Sequence, residues 1–211
     1  KSTLAVLLIL SGLIGILYAV SSNILLQGYA EIEKRNSIEH TERVAEAYTQ
    51  YLEKLKATNL SWSVWDDTID FIEHSNANYV EENLSNETYA KNHISVIVML
   101  DLSGKIVYGK SYDRQQDKIL DLPQSLKDYI KANPAILNHP NLHKCHEGLI
   151  LLPENQLLFT SCPILTSQEK GPSHGTVILG TNLDQIVVEE LRKTTRSELN
   201  FYRLDRSLPN S

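Results

Sequence analysis

Hydrophobic residues recur along this chain in three rhythms. From Leu4 to Leu26 they run almost unbroken, and LAVLLILSGLIGILYAVSSNILL carries no charge over 23 residues. At about 1.5 Å per residue such a helix is roughly 35 Å long, enough for a hydrocarbon core of about 30 Å. A cleaved signal peptide is the rival reading, with Ala19 to Ser21 as the cleavage site. Signal cores run only about 7–15 residues, so length favours a retained anchor. The rhythm then turns helical. Val44, Tyr48, Tyr51, Leu52 and Leu55 fall at i, i+4, i+7, i+8 and i+11, and neither Gly nor Pro interrupts the chain between Gly28 and Thr58. This pattern predicts one long helix from Tyr29 to Thr58.

Beyond it, Ser61 is a candidate N-cap for a short helix beginning at Trp62, which places Trp62, Trp65, Ile69 and Ile72 on one face. The period then shortens. SVIVMLDL, Ser95 to Leu102, is a continuous apolar run rich in β-branched residues and reads as a buried strand. Ser103-Gly104 is a turn and KIVYGKSY the returning strand. Asp101 and Gly104 suit a type I turn closed by a left-handed residue. SLKDYIKAN, Ser125 to Asn133, reads as an amphipathic helix stopped before Pro134. HEGLILLPENQLLFTS folds as a hairpin about Pro153 to Asn155. Thr176 to Gly180 is a further strand, followed by a helix starting at Asn182 or Asp184. LNFYRLD, Leu199 to Asp205, begins another strand. The order predicts an α+β domain: a five-stranded antiparallel sheet with helices packed on one side, the layout of a PAS-like sensor.

Composition narrows the function. The net charge is −6, with acidic and basic residues mixed along the chain. No Lys/Arg cluster interleaves with aromatics, which argues against a nucleic-acid partner. No G-x-S-x-G, H-E-x-x-H or P-loop pattern supports an exported hydrolase. The hairpin sets Cys145 nearly opposite Cys162, a geometry that permits a disulfide in an oxidising compartment; two unrelated buried thiols are the alternative. HKCHE, His143 to Glu147, carries borderline metal ligands, but His143 and Cys145 share one strand face while His146 takes the other, and no metal site is assigned.

The densest chemistry lies in WSVWDD, where the only two tryptophans, Trp62 and Trp65, run into Asp66 and Asp67. Two readings stand. The indoles can be core, each burying about 150–250 Å², with Asp66 accepting hydrogen bonds. Alternatively they wall a pocket in which Asp66 pairs with an amine. Adjacent carboxylates on a helix diverge by about 100°, so acid/base work on one bond is disfavoured.

WSVWDDTIDFI, Asn92 ahead of VIVMLDLSGKIVY, and SCPILTSQEKGPSHGTVILGTNLD followed by a helix together resemble the CHASE domain of type four, over about Tyr29 to Arg196. The resemblance implies a PAS-like or Cache-like extracytoplasmic sensing module of a transmembrane receptor, without catalysis or cofactor of its own. Its output module, such as a histidine kinase or diguanylate cyclase, would lie past a second span. The implied layout is an anchor over 1–28 and a sensor over 29–211: stalk helix 29–60, core 61–204 and a tail 205–211 leading toward that span. Trp62, Trp65, Asp66, Asn92 and Tyr108 are the candidate ligand-binding residues. The expected partners are an unidentified small molecule, the membrane through the N-terminal helix, and a second copy of the chain. The alternative is a membrane-anchored interaction domain with no small-molecule ligand.

Overall fold

The computed structural model describes residues 2–195, and before residue 41 only some of the side chains. The chain divides into two compact units, 1–46 and 47–211. The first is helical throughout its described residues and forms the opening part of α1, Ser2–Ser63. Among the described residues no helix is long and apolar enough to cross a membrane. Most side chains of the apolar run at 4–26 lie outside the described set. The strand expected at 199–205 lies outside it as well.

The second unit continues with three short helices, α2 Asp66–His74, α3 Ala77–Asn83 and α4 Asn86–Lys91. Strands β1 Val96–Asp101, β2 Ile106–Asp113 and β3 Lys118–Asp121 follow. Next come α5 Gln124–Ala132, a 3₁₀ turn at Pro134–Leu137, β4 His146–Leu151, β5 Gln156–Pro163, β6 Gly175–Asn182 and α6 Gln185–Thr195. The strands form one antiparallel sheet in the order β3-β2-β1-β6-β5-β4.

The sheet has six described strands where the pattern predicts five. The addition is β3, an edge strand whose four residues are largely exposed and so carry no apolar alternation. Helices also cover both faces, not one. Ile97, Met99, Val177 and Leu179 pack with Leu55, Trp62, Tyr79 and Tyr89 of the α1–α4 layer. Val96, Val98, Leu100 and Ile178 pack with Leu126 and Ile130 of α5. Alternate residues of the central strands thus enter opposite cores, which is why both strands read as unbroken apolar runs.

A second correction concerns the start of α2. The long helix does not stop at Thr58, and Ser61 does not cap a new one. The Ser61 hydroxyl donates to the Thr58 carbonyl 2.7 Å away, within α1. The helix ends only at Ser63, where the backbone turns to the sheet: Leu165 N–H donates to the Ser63 carbonyl at 2.8 Å, and Val64 bridges Leu165. Trp62 therefore belongs to α1, and Trp65 occupies the N-cap position of α2 in extended conformation. The Asp101–Gly104 turn forms as predicted. Gly104 has φ +79, its N–H donates to the Asp101 carbonyl at 3.0 Å, and Asp101 Oδ1 accepts from Ser103 and Lys105. Those hydrogen bonds, Ser103's first, hold the Asp101 carboxyl below its ordinary range.

Candidate functional site

The motif Trp62 to Asp66 sits where α1, α2 and the β5–β6 connection meet. Trp62 is buried on the α1–α4 face of the sheet, and Trp65 packs half-buried in the same cluster. The Trp65 ring lies 5.7 Å from that of Tyr79, which stacks on Phe71 at 4.6 Å. Phe71 in turn meets the Tyr108 ring edge-on at 6.4 Å. Such contacts add about 0.5–1.5 kcal/mol each beyond area burial. The Tyr79 hydroxyl and Thr68 Oγ1 are 2.7 Å apart, and those of Tyr89 and Tyr108 are 3.1 Å apart. Burial pushes the Tyr79 phenol up to about 12, against the Thr68 hydrogen bond and with help from Asp67. Burial, reinforced by Tyr108, pushes Tyr89 up as well. These phenols stay neutral and serve as packing groups that carry their own hydrogen-bond partners.

Asp66 makes a reciprocal clamp. Its Oδ1 accepts from the Ser167 N–H at 3.0 Å, while its own N–H donates to Ser167 Oγ at 3.1 Å. Asn59, one turn before Ser63, is fully buried against the sheet. Its amide nitrogen donates to the Thr160 carbonyl, to Thr160 Oγ1 and to the Val177 carbonyl at 3.0–3.1 Å. Asn59 Oδ1 and Ser63 Oγ are buried without a hydrogen-bond partner among the described residues. The stalk is thus pinned to β5 and β6 by one polar side chain and one stretch of backbone. Asn59 was readable in principle, since it continues the Leu52, Leu55 stripe one turn on, a polar residue on an apolar face. Ser167 carried no such signal.

The remaining candidates do not join this cluster in one cavity. Trp62, Trp65, Asp66 and Tyr108 do not line the cavities of about 970, 380, 380 and 310 Å³ found among the described residues. Exposed Asn92 caps the end of α4, donates to the Thr88 carbonyl at 2.9 Å and borders a crevice of only about 10 Å³. Cys145 and Cys162 are joined by a disulfide at the mouth of the β4–β5 hairpin, 17 residues apart. No group of three or more metal-ligating side chains occurs among the described residues.

The roomier space lies on the other side of the sheet. A cavity of about 380 Å³ is bounded by β1, β2, the turn after β2, α5 and the start of α6. Its floor is apolar, and Arg114, Asn155 and Asp184 bring polar groups to it. Sequence reasoning named Asn155 only as part of a turn and Asp184 only as a possible helix start, and passed over Arg114.

Comparison with known proteins agrees with this architecture. The model of the CHASE4 domain matches residues 47–202. The methanogenesis regulatory histidine kinase FilI of Methanothrix harundinacea (strain 6Ac) is 30% identical over 150 residues, 71% of this chain and 17% of that protein. The chain therefore spans about a sixth of the length of this curated relative. Among solved structures, the periplasmic domain of Vibrio cholerae LuxQ superposes with a TM-score of 0.51 at 12% identity, covering 76% of this chain and 71% of that one. The extracellular domain of a protein assigned as a histidine kinase, vpHK1S-Z8, gives 0.54 at 14% identity, covering 77% and 63%. At these identities the likeness is one of fold. The chain belongs to the CHASE4 domain family.

Proposed function

We propose that this CHASE4 domain is the stimulus-sensing, extracytoplasmic part of a membrane receptor, and that it passes a conformational shift through its flanking helices to a cytoplasmic output module. The observation that carries this reading is the double attachment of β6. Asn59 of α1 donates to the Val177 carbonyl of β6, and α6 begins three residues after the same strand ends. One central strand therefore holds both the helix that enters the domain and the helix that leaves it. The unpartnered Asn59 Oδ1 and Ser63 Oγ leave the seam incompletely satisfied, at a cost of about 1–3 kcal/mol per buried group. A seam of that kind can adopt a second arrangement at small expense, the property a two-state element requires.

The uncharged run at 4–26 supplies the membrane anchor in this reading. Tyr51, Leu52 and Leu55 of the α1 stripe are buried within their own chain, so dimerisation would carry the shift to a second copy through another face of the helix. The domain itself needs no cofactor and does no chemistry. Its relative FilI carries the name of a histidine kinase, which makes a kinase the natural class of output to test.

The test is a fusion of residues 1–211 to the second membrane span and kinase core of a membrane histidine kinase, with autophosphorylation measured in membranes. Asn59→Ala removes the α1–β6 link. It is expected to shift basal autophosphorylation about fivefold or more relative to the unmutated fusion at equal protein level, the lower end of typical coupling energies. Output equal to that of the unmutated fusion would refute coupling through this seam.

A further inference from the structure

The cavity on the α5 face holds a cation that lacks hydrogen bonds. Both terminal guanidinium nitrogens of Arg114 are buried and make no hydrogen bond among the described residues. Its nearest carboxylate oxygen, Asp184 Oδ2, is 3.8 Å from Nη1, an ion pair but not a hydrogen bond. Asp184 is otherwise engaged, since its Oδ1 accepts from the N–H groups of Ile186 and Val187 at 2.9 and 3.1 Å and caps α6. The other neighbouring carboxylate, Asp113, is also spent. It takes the N–H groups of Gln115 and Gln116 on Oδ1 and the Gln116 side-chain amide on Oδ2. Asn155, which also lines the cavity, donates to Asn182 Oδ1 at 2.9 Å, but its own Oδ1 is buried and has no hydrogen-bond partner among the described residues.

A guanidinium without hydrogen bonds calls for a planar anion, and an unpartnered amide oxygen calls for a donor. Each buried group left unsatisfied is costly, and a ligand that satisfies both recovers that cost. Arg holds a carboxylate through two parallel N–H···O bonds. The cavity's volume of about 380 Å³ lies within the range of small-ligand sites, and its apolar floor includes Val96, Leu126 and Leu157. It shares Asn155, Asn182 and Asp184 with an open groove of about 970 Å³ along α6, which gives a way in.

We propose that this cavity binds a small carboxylate bearing an adjacent hydroxyl or amino group, with Arg114 holding the carboxylate and Asn155 Oδ1 accepting from the neighbouring donor. The assignment rests on the sensor reading and names its ligand class. It also gives the signal a route. A carboxylate on Arg114 displaces Asp184 from its only described cation, and Asp184 is the cap of α6. Occupancy therefore acts first on the helix that leaves the domain.

The experiment is calorimetric titration of the full chain in detergent with L-lactate, L-alanine, propionate and ethylamine. Lactate or alanine, or both, should bind about tenfold or more tightly than propionate, and ethylamine should not bind. Arg114→Met should weaken binding by about 30-fold or more, the size of a lost charge-assisted pair. Arg114→Lys should recover part of it. Asn155→Ala should leave propionate binding unchanged and erase the preference for the hydroxyl or amino group. Heat-denaturation midpoints near that of the parent establish that each variant is folded. The proposal is overturned if none of the carboxylates binds at about 10 mM, if ethylamine binds as well as they do, or if Arg114→Met binds like the parent. Because the kinase fusion is read without ligand, a failure here leaves the seam-coupling test standing, and the reverse also holds.

Discussion

The two faces of the central sheet are built from the same strands, yet they are finished differently. On the α1–α4 face, rings of Trp62, Phe71, Tyr79, Tyr89 and Tyr108 interlock, and their hydroxyls pair with one another or with Thr68. On the α5 face aliphatic side chains fill most of the space, but a cavity persists at one end, with an arginine that lacks a hydrogen bond. The first face fastens helices to the sheet, and the second is left open to a ligand. Substitutions on the first should therefore cost stability, while those around the cavity should cost binding.

The strongest test of the fastened face is Trp62→Ala. Trp62 is 8% exposed and wedges the last turn of α1 into the aromatic layer. Removing an indole from such a site costs about 3–5 kcal/mol. Chemical denaturation should show the loss, and an effect below about 1 kcal/mol would mean that the α1 junction is not part of the cooperative core.

Next in size is the covalent tie. Replacing Cys145 and Cys162 together by serine opens a bond between residues 17 apart and should cost about 3 kcal/mol through the freed unfolded chain. The bond ties β4 to β5, and Cys162 is the register partner of Val177, the β6 residue whose carbonyl takes the Asn59 amide. Its removal should therefore also shift the kinase-fusion output of the folded protein. An unchanged output at equal folded protein would show that the seam does not depend on the covalent tie beside it.

A smaller effect separates two neighbours that look alike in sequence. Asp66 and Asp67 are both exposed, yet Asp66 alone accepts the Ser167 N–H across the α2 junction. Asp66→Ala should cost about 1 kcal/mol, and Asp67→Ala should stay within about 0.5 kcal/mol of the parent. Equal losses in thermal denaturation would show that the clamp adds nothing beyond the helix-end charge that the two share.

How much of this was legible in the sequence follows from the length over which each signal is written. β1 and β6 were readable because burial on both faces makes every residue apolar. The Asp101–Gly104 turn was readable because its chemistry is local to four residues. β3 was not, because an exposed edge strand has no alternation to display. The end of α1 was misplaced for a related reason. No Gly or Pro marks Ser63, and the helix stops there because backbone at Leu165, about a hundred residues on, pairs with it. The aromatic motif was visible but its role was not, since packing and ligand walls use the same side chains. Arg114 was invisible altogether. A single arginine in a polar turn acquires meaning only when folding brings Asn155 and Asp184 beside it.

A small expected stability change is the most informative about the open face. Arg114→Met removes a cation that is 22% exposed, whose buried terminal nitrogens make no hydrogen bond among the described residues and whose one described ion pair spans 3.8 Å. The attraction it gives up is weak at that distance, and Asp184 is 40% exposed, so water can solvate the carboxylate left behind. Methionine keeps most of the volume and brings no desolvation cost. Replacing a poorly paired buried charge by an apolar group of similar size is often neutral or stabilising. The variant should therefore denature within about 1 kcal/mol of the parent, in either direction, while losing the carboxylate. A loss of more than about 2 kcal/mol would show that Arg114 supports the fold in the absence of any ligand. The contrast between a face that holds the domain together and a face that waits for a ligand would then no longer stand.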